Sequence, residues 1–191
     1  MKRRILAAAG ALALQCSNAH AASTAEFDHF RSICIAAQGD RSAALALSDQ
    51  SGWMPVPDEL LRRIVGPMKL GEADGRVRSS KVGLSVLIVG AKALGPYPAE
   101  ACMIAVQGVD PDELKAQARA FAGAPPVPGL SSEESLGFVW KDVDGHREPI
   151  SQPALERMDK PAAGLKAMFV GPAEGGFATL ILLVPNTQPQ T

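Results

Sequence analysis

Two cysteines, Cys34 and Cys102, constrain this chain more than any other pair of residues, because a bond between them would fix an N-terminal segment to its middle. Whether they pair depends on the compartment, and the first residues speak to that. Met1 to Ala21 has a basic start (Lys2, Arg3, Arg4), a small apolar run from Ile5 to Leu14 and an Ala19-His20-Ala21 cleavage pattern, the three parts of a secretory signal peptide. The apolar run is about half of the roughly 20 residues that a membrane helix needs, so the segment is expected to be cleaved and not kept as an anchor. Cys16 raises the alternative of lipidation, for which Gln15 is a poor neighbour. Arg3-Arg4 raises that of a twin-arginine route, for which most of the surrounding pattern is lacking. Cleavage at Ala21 leaves Cys34 and Cys102 as the remaining cysteines of a chain delivered to the periplasm or beyond the cell, where a lone pair ordinarily forms a disulfide. Free buried thiols and redox chemistry are the alternatives, the second without a Cys-x-x-Cys motif to support it.

Local patterns place both sulfurs on core-facing surfaces. Ser23-Thr24-Ala25-Glu26 reads as a capping box, after which Phe27, Phe30, Cys34 and Ala37 recur on one helix face. Ala101 to Gln107 alternates as a strand, with Cys102, Ile104 and Val106 on one side and Met103 and Ala105 on the other. Asp40 caps a second helix running through Leu45 and Leu47 to Gln50. Gly52 ends it and Trp53 folds back over its last turn. A third helix, Asp58 to Val65, should turn Leu60, Leu61 and Ile64 to the core.

Arg76 to Ser79 alternates as an edge strand, and Leu84 to Val89 is a buried one. Tyr97 falls in a proline-flanked loop. Asp110-Pro111-Asp112-Glu113 opens a helix with Leu114, Ala118 and Phe121 on one face and Gly123 at its end. Ala124 to Glu134 reads as a surface loop. Phe138 to Trp140 and His146 to Ile150 flank the hairpin dipeptide Asp144-Gly145, and Leu165 to Val170 and Phe177 to Val184 meet through Gly175-Gly176. The expected architecture is a single α+β domain over 22–185, with N-terminal helices and one further long helix on a mostly antiparallel sheet, followed by a flexible tail, 186–191. Its β-β-α-β-β-β order is similar to that of profilin-like or PAS-like domains.

Without the leader's three bases, sixteen Lys and Arg face twenty Asp and Glu, and no basic run is present. Nucleic acid and anionic lipid are therefore disfavoured as partners, and no stable membrane span is expected after cleavage. Chemistry is sparse. The two histidines beyond the leader are His29, placed on a solvent-facing helix side, and His146. Asp142, Asp144 and His146 could hold a divalent cation loosely at a hairpin tip, although the closing glutamate of a calcium loop is missing. Gly83-Leu84-Ser85-Val86-Leu87 starts like a nucleophile elbow and lacks its last glycine. No cofactor motif is present. Trp53, Tyr97 and Trp140 are the aromatics best suited to line a ligand groove.

The run Phe30, Cys34, Ala44-Leu45-Ala46, Gly52-Trp53, a second cysteine in a strand and an Asp-Pro-started helix resembles a loose set of uncharacterised secreted bacterial proteins with a Cys...Gly-Trp...Cys pattern. The resemblance spans Phe27 to Phe121 and implies export and bacterial origin, with no activity to carry over. The sequence thus favours a non-catalytic binding or accessory protein with a protein or small-molecule partner in the cell envelope. An enzyme built on Asp142, Asp144 and His146 and an envelope structural protein are the alternatives.

Overall fold

Eight strands form one open sheet in the order β1-β2-β3-β4-β8-β7-β5-β6, and every neighbouring pair is antiparallel. The structure is a computed structural model that describes residues 23–65, 70–80, 83–94 and 97–186. The leader, and the tail beyond Asn186, lie outside the described residues. The elements are α1 (23–37), α2 (Arg41–Gln50), β1 (Met54–Pro55), α3 (Asp58–Val65), β2 (Ala73–Ser79), β3 (Leu84–Leu94), β4 (Tyr97–Gln107), α4 (Pro111–Ala122), β5 (Leu136–Val143), β6 (His146–Pro149), α5 (Gln152–Glu156), β7 (Leu165–Ala173) and β8 (Phe177–Pro185).

Alternation along the strands splits the apolar residues between two faces. One face carries Leu87 and Val89 of β3, Cys102, Ile104 and Val106 of β4, Leu180 and Leu182 of β8, Met168 of β7 and Phe138 of β5, and α1, α2 and α4 cover it. Residues 31–35 of α1 form a π-helical turn, closed by the Ala36 N–H on Arg31 O. The wider turn brings both Ile33 and Cys34 inward beside Phe30, all three fully buried. Cys34 is bonded to Cys102, with Cα atoms 5.4 Å apart across 68 residues of sequence. The bridge therefore ties α1 to the middle of the sheet.

The caps of α2 and α4 act as the sequence implies. Asp40 accepts from the Ala43 N–H at 2.8 Å and Asp110 from that of Asp112 at 2.9 Å, while Gly123 ends α4 in the left-handed region. After α2, Gly52 has φ +78 and the Trp53 N–H returns to Ser48 O. Ala44 and Ser48 are the fully buried residues of α2, with Leu45 and Leu47 flanking them. On the opposite sheet face, Val56 and Leu61 pack on Val86, Ile88 and Met103, whereas Val127, Leu130, Ile150, Leu155 and Met158 pack around Val139, Leu165, Ala167 and Leu183.

Several expectations need correction. Eight strands replace the five of the β-β-α-β-β-β order, four before α4 and four after it. β2 is not the outermost strand: the extended Met54-Pro55 link pairs with Val77 and Arg76 and caps its edge. Tyr97 is not in a loop but opens β4 opposite Leu94, because the β3 and β4 ladder runs on past its most apolar stretch. On α3, Leu61 is buried but Leu60 is 44 % exposed, since so short a helix packs on the sheet along one narrow stripe. The Ile64 side chain lies outside the described residues. Finally, Ala124 to Glu134 is not simply a surface loop. Its Val127 is buried, and a 3-10 turn at Pro128–Leu130 crosses Gly137 so closely that a Cβ there would sit 2.5 Å from Leu130 O.

Candidate functional site

The strap 124–131 and the chain after β6 approach each other at the β5 edge because β6 covers only half of β5, pairing with Trp140 to Val143. Gly137 and Val139 consequently bond to other segments. The Val127 N–H donates to Gly137 O at 2.8 Å, the Ile150 N–H donates to Val139 O at 2.9 Å, and the Gly137 N–H donates to Ser131 Oγ at 3.0 Å. Between the two segments lies a cleft of about 510 Å³, walled by Pro125, Pro126 and Pro128 on one side and Pro149 and Pro153 on the other. Gln152 straps the walls together. Its Oε1 accepts the Gly129 N–H at 2.8 Å and its Nε2 donates to Glu156 Oε1 at 2.7 Å. Five prolines with fixed φ limit the backbone freedom of its walls.

A second polar site lies under α1. Glu26 is 2 % exposed, and its Oε2 accepts the Ser85 hydroxyl at 3.0 Å. One turn later His29 meets the Arg78 guanidinium through Nε2 and sets its ring edge-on to Trp53, with centroids 6.0 Å apart. Burial pushes the Glu26 carboxyl above the usual carboxylate range, against the smaller opposing pull of the Ser85 hydroxyl and the Arg78 charge. Burial first, and the Arg78 charge second, hold His29 below the ordinary histidine value, while Asp28 opposes them. Along the same face of β2, Arg76 binds Asp49 at 2.6 Å and Asp74 binds Arg41 at 2.6 Å, so β2 meets α2 through two ion pairs and α1 through the Arg78 to His29 contact. Ser85 is fully enclosed and its hydroxyl is spent on a carboxylate, an arrangement that holds a helix and gives no substrate access to a nucleophile.

These placements change the picture of the histidines and aromatics. His29 is not a solvent-facing residue but a half-buried partner of Trp53 and Arg78, a contact that joins residues 49 positions apart and leaves no local signal. Trp53 and Trp140 are 3 % and 2 % exposed, both in the core beneath the helices, with Trp140 edge-on to Phe121. Tyr97 is half-buried at the start of β4. None of the three lines the proline cleft.

At the β5 to β6 turn, Asp144 and Gly145 both have positive φ, as a two-residue hairpin requires. Asp144 and His146 are exposed, and Asp142 is engaged by the buried Lys166 ammonium. Among the described residues no group of three or more His, Cys, Asp or Glu side chains converges as a metal site. The cleft itself had a faint signature: two proline clusters flank the hairpin that folds them together. Among the described residues no helix is long and apolar enough to cross a membrane. Comparison of the chain with protein families, with characterised proteins and with solved structures finds no match.

Proposed function

We propose that the protein is an exported binding protein, carried by a cleavable leader to the periplasm or the exterior and working through the proline-walled cleft. The single observation that carries this reading is the cleft: largely apolar, about 510 Å³ and spanned by Gln152. The disulfide agrees with an oxidising compartment, and the leader and the resemblance to secreted bacterial proteins point the same way. The likeness to profilin-like or PAS-like domains is one of element order alone and adds nothing about function. Tyr97, with part of its surface free, is a secondary candidate for ligand contact, whereas Trp53 and Trp140 serve the core.

The test is a fragment titration of the 15N-labelled exported protein followed by amide shifts. Binding centred on Val127, Ile150 and Gln152 is expected. A library that moves no amide around the cleft would overturn the proposal.

A further inference from the structure

The binding reading leaves open what the cleft takes, and the hydrogen-bond inventory of its walls narrows the choice. Five of the lining residues are prolines and have no N–H to offer. The Val127 and Ile150 N–H groups are committed to β5 carbonyls. The Gln152 amide gives a hydrogen to Glu156 and its oxygen is taken by Gly129. The Ser151 hydroxyl, which makes no capping bond, and the second Gln152 amide hydrogen are the side-chain donors that the walls keep. Glu156, exposed at the rim, is the one ionisable residue of the lining and an acceptor. Its carboxylate is preset by the Gln152 bond, which uses Oε1.

Resting on the binding reading above, we propose that the cleft selects a small organic amine: an apolar, ring-bearing body between the prolines and a protonated nitrogen on Glu156. The charge on the wall is negative, Glu156 being its one ionisable group, and flat rings stack well against proline ring faces. An anionic ligand would meet Glu156 with like charge. A purely apolar ligand would fill the cleft without using the carboxylate.

The experiment compares two probes of one shape and opposite charge, tryptamine and indole-3-acetate, by amide shifts on the 15N-labelled exported protein at pH 7. Tryptamine should move the amides of Val127, Ile150 and Gln152 and bind about tenfold or more tightly than the acid, a difference of about 1.4 kcal/mol. Glu156→Gln keeps an oxygen for the Gln152 bond and should bring the two probes within about twofold of each other. Equal binding of the two probes by the wild-type protein, or a preference that survives Glu156→Gln, overturns the amine selectivity while the binding reading stands. If neither probe moves a lining amide but other fragments do, the amine proposal alone fails. If nothing moves one, both fail.

Discussion

Reducing the Cys34 to Cys102 bond should lower stability by an amount that follows from its span. The bridge joins residues 68 positions apart, and a cross-link of that length removes about 4 kcal/mol of conformational freedom from the unfolded chain. The native contacts at the same site set the scale for comparison. Phe27, Phe30 and Ile33 bury their side chains against the sheet beside Cys34, at about 1.5–3 kcal/mol each. That apolar face is worth at least as much as the bridge, so α1 should stay docked after reduction and the protein should remain folded at 25 °C. In urea, at a slope near 2 kcal/mol per molar, the midpoint should fall by about 2 M. On heating, Tm should fall by about 8–16 °C, given roughly 2–4 °C per kcal/mol for a domain of this size. Because Cys34 is fully buried and Cys102 is 4 % exposed, the reductant has to be present through the whole unfolding and refolding titration. Coincident curves with and without reductant would refute the cross-link argument. Complete unfolding on reduction would refute the claim that the phenylalanine face holds α1 by itself.

The two titratable groups under α1 should bend the stability profile in opposite senses. Glu26 has a raised pKa, so its contribution is fully present below the ordinary value of 4.5 and is lost as pH rises through the raised one; Glu26→Gln should remove the fall of a urea-midpoint profile that begins above pH 4.5, and an unchanged slope would count against a buried carboxyl. His29 has a lowered pKa, so its contribution is present above the ordinary 6.5 and is lost as pH falls through the lowered one; His29→Gln should flatten the acid side, measured in the same way. Gly137→Ala would drive a Cβ into the backbone of Leu130 and should cost about 1–3 kcal/mol while loosening the strap, seen as faster amide exchange at Val127; wild-type protection there would be the contrary result. Gly52→Ala meets no atom within 4 Å and should cost only the left-handed backbone penalty, about 1–2 kcal/mol in thermal unfolding.

What could be inferred from the sequence was whatever is written in a short window. The two-residue alternation of 101–107 assigned Cys102, Ile104 and Val106 to one face and Met103 and Ala105 to the other; the first three do share one core, Met103 lies in another, and Ala105 is buried. Asp40, Asp110, Gly52 and Gly123 mark helix ends because a cap is a contact between residues a few positions apart. β1 escaped because two residues have no period. They become a strand only when β2 is beside them. Glu26 had a sufficient local explanation as a capping residue, which concealed its contact with a serine 59 positions away.

The cleft escaped for a related physical reason. Proline and serine content marks 124–134 as unable to form a helix or an interior strand, and composition stops there. Whether such a segment floats or lies down depends on whether a strand edge offers it acceptors and donors. Here β6 is too short to cover β5, so Gly137 and Val139 present backbone groups that Val127, Ser131 and Ile150 satisfy. A buried edge has to be satisfied by something, and prolines, lacking N–H groups, can supply only carbonyls. The two segments therefore bond to β5 through their non-proline residues and leave their prolines facing each other across the gap. The short β6 strand and the proline-walled cleft are thus one feature. Replacing Gln152, the side chain that crosses between the walls, by Ala should leave the β5 bonds in place yet speed amide exchange at Gly129 and weaken any ligand held between the prolines. Unchanged exchange at Gly129 would show that the β5 edge alone sets the cleft's width.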